Sequence, residues 1–148
     1  MIKDGAQVYR FMTPSPQTIQ RDATLAAARE SMSRFGIRHL PVLDGHDLVG
    51  ILSDRDLAVA EKLSDVFRVP VGEIMSPDPY VAVPSTALVE VATQMAMHRY
   101  GAVVIVDRGN VVGVFTAMDA LRAIAAERGL HESPVEMVPD PAPVRSIG

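Results

Sequence analysis

An α+β fold of two equivalent halves is predicted by three features of the sequence: a repeat, a change of periodicity within each repeat, and matched turns. At an offset of 63 residues, Val8 to Ala58 align with Val71 to Leu121 without a gap, and many of the pairs that differ exchange like for like. Within each copy the apolar spacing reads strand, helix, strand, strand, helix. Both copies place a four-residue loop containing glycine between consecutive strands. A unit repeated whole cannot in general bury its apolar face alone, so the halves are expected to close on each other, with any site at their seam.

In the first copy, Thr18-Ile19-Gln20 forms a short strand after Pro14 and Pro16, and Leu25, Ala28 and Met32 recur at helical spacing. His39 to Leu43 and Leu48 to Leu52 are two strands around the loop Asp44-Gly45-His46-Asp47, followed by a helix from about Asp54 past Leu63. The second copy repeats this order. Val81-Ala82-Val83 is the strand, and Leu88, Val91 and Met95 mark the helix. Ala102 to Val106 and Val111 to Phe115 flank Asp107-Arg108-Gly109-Asn110, and a closing helix runs from about Ala117 to Arg128. Pro41 lacks a ladder donor, so its strand should lie at an edge or pair on one side only there. Residues 8–67 and 68–130 are the expected repeats, with Arg68 to Pro79 linking them. The proline-rich stretch 131–148 is expected to be extended or disordered.

The composition is that of a globular protein, with 48% apolar and 22% charged residues. No apolar run approaches the ~18 residues of a membrane span, and Met1-Ile2-Lys3-Asp4-Gly5 lacks the apolar core of a secretory signal. The absence of cysteine excludes disulfides, thiolate metal sites and cysteine nucleophiles, and fits a cytoplasmic location. A formal charge of −4 argues against a nucleic-acid partner, which normally requires a basic stripe. It leaves room for a small anion held by a helix N-terminus or a few arginines.

Each copy closes on glycine, hydroxyl and aspartate: Gly50-Ile51-Leu52-Ser53-Asp54-Arg55-Asp56 and Gly113-Val114-Phe115-Thr116-Ala117-Met118-Asp119. As structure, Ser53-x-x-Asp56 and Thr116-x-x-Asp119 are helix N-caps of the capping-box type. As chemistry, the hydroxyl and first-turn N–H groups can receive a phosphate oxygen, and the carboxylate one turn on can accept both hydroxyls of a ribose. Glycine within a strand suggests that a backbone or a ligand comes close at Gly50 and Gly113. The two roles are compatible.

These segments carry a family resemblance. Ile37-Arg38-His39-Leu40-Pro41-Val42-Leu43-Asp44 with Leu48 to Leu57 resembles a cystathionine-β-synthase (CBS) domain. Tyr100 to Asp107 with Val112 to Asp119 resembles a second, and Met12-Thr13-Pro14 and Met75-Ser76-Pro77 fit the family's opening to each repeat. The resemblance covers about residues 8 to 128. It implies a tandem CBS pair, or Bateman module: two βαββα units packed sheet to sheet about a pseudo-twofold axis, leaving two clefts. Many members bind AMP, ADP, ATP or S-adenosylmethionine there, with ribose on the motif aspartate and phosphate near the hydroxyl residue.

Carried onto this chain, the resemblance implies one cleft of Thr116 and Asp119 faced by Thr18, Ile37, Arg38 and His39. It implies another of Ser53 and Asp56 faced by Val81, Tyr100, Gly101 and Ala102. Arg38 can make charge-assisted contacts to phosphate, whereas its counterpart Gly101 cannot, so the Asp119 cleft is expected to be the better phosphate site. Tyr100 is either a stacking wall for the base or a core residue.

No catalytic constellation is present in sequence: no nucleophile elbow, no P-loop and no His-Glu-x-x-His. His39, His46, His98 and His131 show no ligand spacing, so neither a metal site nor an enzyme is expected. The expected function is a stand-alone regulatory module. It requires no cofactor, takes an adenine nucleotide as ligand, forms a homodimer and signals to an effector protein in trans. Neither nucleic acid nor membrane is an expected partner. The alternative is an interaction module with degenerate clefts, joined through apolar Ala58, Val59, Ala120, Leu121 and Ile124.

Overall fold

The computed structural model describes residues 5–129, so the reading of the segment 131–148 lies outside the described residues. Strands β1 (Thr13–Pro14), β2 (Ile19–Gln20), β3 (His39–Asp44) and β4 (Asp47–Ser53) belong to the first copy, with helices α1 (Leu25–Phe35) and α2 (Asp54–Leu63). Strands β5 (Ser76–Pro77), β6 (Val81–Ala82), β7 (Ala102–Asp107) and β8 (Asn110–Thr116) belong to the second, with α3 (Leu88–His98) and α4 (Ala117–Gly129). Short 3-10 turns at Val8–Arg10 and Val71–Glu73 precede β1 and β5.

Two four-stranded sheets result, ordered β2-β3-β4-β5 and β6-β7-β8-β1. Each therefore takes its last strand from the other copy. Thr13 and Pro14 pair with Val114 and Gly113, while Ser76 and Pro77 pair with Ile51 and Gly50. The sequence reading treated Met12-Thr13-Pro14 as an opening and residues 68–79 as a link, and missed both strands. Each pairs with the opposite copy, and residue spacing along the chain does not report a partner that distant. The exchange extends into the cores. Val8 is buried among Val91, Val103, Ile105 and Phe115, and Val71 among Leu25, Leu40, Leu52 and Leu57.

The exchanged strands also account for the two strand glycines. A Cβ on Gly50 would stand 2.7 Å from the Ser76 carbonyl oxygen, and one on Gly113 would strike the Met12 side chain. Close approach was expected at both positions, and the structure identifies the approaching group as β5 and the residues around it, or Met12 beside β1, rather than an open ligand space.

The internal strands have both faces covered. Val103 and Ile105 join the core beneath the helices, while Ala102 and Val104, pointing the other way, are also buried. Alternation places successive side chains on opposite faces, so dryness on both faces requires a helix layer on one and the opposing sheet on the other. Fully buried Leu52 and Phe115 occupy equivalent positions, each stabilising its half by roughly 1.5–3 kcal/mol. Pro41 lies on internal β3, but β2 reaches that strand only at Val42 and Leu43, so β4 alone pairs with Pro41.

The turns differ from expectation. Asp44 pairs with Asp47 and Asp107 with Asn110, so each hairpin closes through two residues rather than four. Both φ angles are positive in Arg108-Gly109, whereas in Gly45-His46 only the glycine's is, the patterns of type I′ and II′ turns. The helices also end unequally. Gly36 takes the left-handed position after α1 with φ 64°, and Arg99 takes it after α3 with φ 60°. Glycine adopts that conformation at little cost, whereas a side chain is strained there.

Candidate functional site: the seam between the repeats

At the seam the last strand of each copy runs directly into a helix, and the first helical N–H is tied to the backbone just before the hairpin. Asp54 N donates to the Arg38 carbonyl at 2.8 Å, and Ala117 N to the Gly101 carbonyl at 3.1 Å. The two copies then diverge. In the first, Ser53 Oγ accepts from Asp56 N at 3.0 Å, and among the described residues no hydrogen bond reaches the Asp56 carboxylate. In the second, the box is reciprocal. Thr116 Oγ1 accepts from Asp119 N at 3.2 Å, while Asp119 Oδ2 accepts from Thr116 N at 2.9 Å and lies 3.2 Å from its hydroxyl. Arg122 Nη1 donates to Asp119 Oδ1 at 3.1 Å, and Asp119 is only 6% exposed. One aspartate is engaged in holding the helix start, and the other is uncommitted.

A cavity of about 680 Å³ opens beside the uncommitted one. Its walls bring together Arg38, His39, Ser53 and Asp56 of the first copy with Tyr80, Tyr100, Gly101 and Ala102 of the second. This volume suits a small-molecule ligand. Tyr80 and Tyr100 stack with ring centroids 5.3 Å apart, and His98 continues the ladder 5.2 Å beyond Tyr100. Tyr100 is 40% exposed, so it forms a wall rather than part of the core. A smaller cavity of about 380 Å³ beside Arg21 and Asp44 contains none of the motif residues.

Charge is concentrated on the same walls. Arg38, Arg55, Arg99, Asp54, Asp56 and Asp78 all line the cavity. Asp54 is held from behind: Arg29 Nη1 donates to it at 2.8 Å, while Arg29 grips Glu61 through Nε at 2.9 Å and Nη2 at 3.0 Å. These bonds, to Glu61 foremost, raise the Arg29 pKa against the opposing effect of burial. Burial lowers the His39 pKa; Asp54 and Asp56 partly oppose this, and Arg38 adds to it. The imidazole is therefore neutral at pH 7. Burial raises the Tyr80 pKa, with Glu90 and Tyr100 contributing.

The expected sites are thus redistributed. Arg38 and His39, placed by the sequence reading opposite Asp119, line the cavity of Ser53 and Asp56. His39 Nε2 would lie 3.4 Å from a Cβ on Gly101, so these residues meet at the centre of the seam. Thr18 is exposed just before β2, and half-buried Ile37 packs on the first core. Ser53, Asp56, Tyr100, Gly101 and Ala102 share the cavity, while Val81 is exposed on β6 and absent from its wall. The sequence reading missed Arg55, Asp78, Tyr80 and Arg99. Two signals were available: Arg99 stands where the first copy has Gly36, and Tyr80 where it has Gln17.

A doubled βαββα unit with a cavity at its seam is the architecture of a tandem-repeat module. The CBS domain family matches residues 7–62 and 71–126, and the chain belongs to that family as a CBS pair. It is similar to a putative acetoin utilization protein from Vibrio cholerae, 33% identical, covering 87% of this chain and 98% of that one, with a TM-score of 0.79. CBSX2 of Arabidopsis thaliana, solved in complex with AMP, is 28% identical over 84% of this chain and 99% of its own, with a TM-score of 0.71. The CBS domain pair of protein MJ0100, in complex with 5′-methylthioadenosine and S-adenosyl-L-methionine, is 27% identical over 80% and 99%, with a TM-score of 0.74. Among the described residues no helix is long and apolar enough to cross a membrane, and no three His, Asp or Glu residues converge as metal ligands.

Proposed function

We propose that this CBS pair is a regulatory module of the cytoplasm. It binds an adenosine-containing molecule between its repeats and passes the bound state to an effector protein in trans. The observation that carries this reading is the juxtaposition, in one cavity, of an uncommitted Asp56 and Ser53 with the Tyr80–Tyr100 stack. A carboxylate without a partner can accept both ribose hydroxyls, the helix start and Ser53 can meet a phosphate, and an aromatic face can receive a purine. The solved relatives with AMP and with S-adenosylmethionine support the same ligand class.

The geometry favours the Asp56 cleft as the principal site, reversing the order expected from sequence. The Asp119 carboxylate must give up its bonds to Thr116 before it can hold ribose, whereas the Asp56 carboxylate has none to give up. Arg38, the basis of the original ranking, contributes to the Asp56 cavity.

Output is proposed to pass through a homodimer formed on the exposed apolar residues of α2 and α4. Val59, Leu121 and Ile124 are each more than half exposed. A ligand signals only by binding one arrangement better than another. The test is thermal unfolding of the full chain with AMP, ADP, ATP, S-adenosylmethionine and NAD. Free ligand at 100 times its Kd stabilises the fold by about 2.7 kcal/mol. No shift with any of them at millimolar concentration favours the interaction-module alternative.

A further inference from the structure

We infer that the Asp56 cleft selects phosphorylated adenosines over S-adenosylmethionine and 5′-methylthioadenosine, and that Arg99 is a specificity-determining residue for this choice. The inference rests on the adenosine reading above and narrows it.

The first ground is the set of unpaired guanidinium donors. Arg38, Arg55 and Arg99 line the cavity, and among the described residues none of them forms an ion pair. Three carboxylates share these walls, but Asp54 is held by Arg29 at 2.8 Å. Three unpaired guanidiniums therefore face two unpaired carboxylates, Asp56 and Asp78, and in the proposed pose Asp56 is occupied by ribose. The guanidiniums are therefore free to meet phosphate oxygens with paired N–H donors, which a sulfonium cannot use.

The second ground is independent of charge. Arg99 occupies a left-handed backbone position, φ 60°, that the first copy fills with Gly36 at φ 64°. The side chain is held at a conformational cost that glycine would relieve, and strain of this kind is characteristic of functional sites. Its guanidinium-bearing chain lies on the cavity wall, where Gly36 offers nothing. Arg29 supports the same asymmetry from outside the cleft. Its counterpart is Ala92, and the counterparts of Asp54 and Glu61 are Ala117 and Ile124, so this ion-paired triad exists in the first copy alone.

The test is isothermal titration of the full chain and of Arg99→Gly with ADP, 5′-methylthioadenosine and S-adenosylmethionine, alongside melting of the ligand-free proteins. ADP is expected to bind the unmodified chain most tightly. Arg99→Gly should weaken ADP by about tenfold and 5′-methylthioadenosine by less than about twofold. The ligand-free variant should melt about 1–3 °C higher, because glycine relieves the backbone. S-adenosylmethionine or 5′-methylthioadenosine binding the unmodified chain at least as tightly as ADP would overturn the selection and leave the adenosine reading standing. Equal weakening of ADP and 5′-methylthioadenosine, or none, would overturn the role of Arg99. Binding of none of the three would remove the adenosine reading itself.

Discussion

The two copies close on the same three residue types and use them differently. In the second copy the motif aspartate is buried, bonded to Thr116 and Arg122, and stabilises the start of α4. In the first, the equivalent carboxylate is released from the cap and turned toward a cavity walled by aromatic and basic side chains. A duplicated motif therefore does not guarantee a duplicated role. Capping engages the carboxylate of Asp119 and leaves that of Asp56 free.

The contrast is broken most directly at the aspartates. Asp56→Ala should weaken ADP by about 100-fold, the loss of two charge-assisted hydrogen bonds, while changing stability by less than about 0.5 kcal/mol. Titration of Asp56→Ala and Asp119→Ala side by side checks this; a larger affinity loss in Asp119→Ala restores the opposite ranking.

The next comparison is between the glycines. Gly50→Ala drives a methyl against the Ser76 carbonyl of β5, which is backbone and cannot turn aside, at an expected cost of about 2–3 kcal/mol. Gly113→Ala meets the Met12 side chain, which can rotate, at about 1 kcal/mol. Urea unfolding of the pair separates them, and equal losses would show that the exchanged strands are equally compliant.

Asp119→Ala itself should cost about 1–2 kcal/mol, because it leaves the Thr116 N–H without its acceptor inside a buried cap. If Asp56→Ala destabilises as much in the same urea series, the distinction between cap and open carboxylate fails.

The smallest effect is expected at His39. Its folded-state pKa lies below the ordinary 6.5, chiefly through burial, so the unfolded chain takes up the proton first as pH falls. The stability that neutral His39 supports is therefore complete above about pH 6.5 and is lost as pH drops through the lower folded value. His39→Gln should flatten this part of the stability curve between pH 7 and pH 5, and parallel curves for the two proteins would contradict it.

Much of the fold was legible because its periodic elements exceed one turn or one pleat. Leu25, Ala28 and Met32 read as helix and are buried as one. What escaped was the two-residue exchange of β1 and β5. Partner choice across such a separation is written in packing, not in spacing. The cavity wall was legible where the motif names residue types, as at Ser53 and Asp56. It was obscured where side-chain commitment decides: nothing in Thr116-x-x-Asp119 reports that its carboxylate is already engaged. The family resemblance supplied the clefts, and the sequence reading took their inequality from Arg38 against Gly101; the contrast of Arg99 with Gly36 was present in the sequence and went unused.

The strand exchange also sets an order of events. Gly50 and Ile51 are already made when Ser76 and Pro77 appear, so the first sheet can finish soon after its last strand is synthesised. Thr13 and Pro14 must wait for Gly113 and Val114, about a hundred residues later. At about 5–20 residues per second that is roughly 5–20 s, during which apolar Val8 and Met12 have no core to enter. On the ribosome, then, the sheet containing β4 and β5 is the elder, and the one containing β1 closes last.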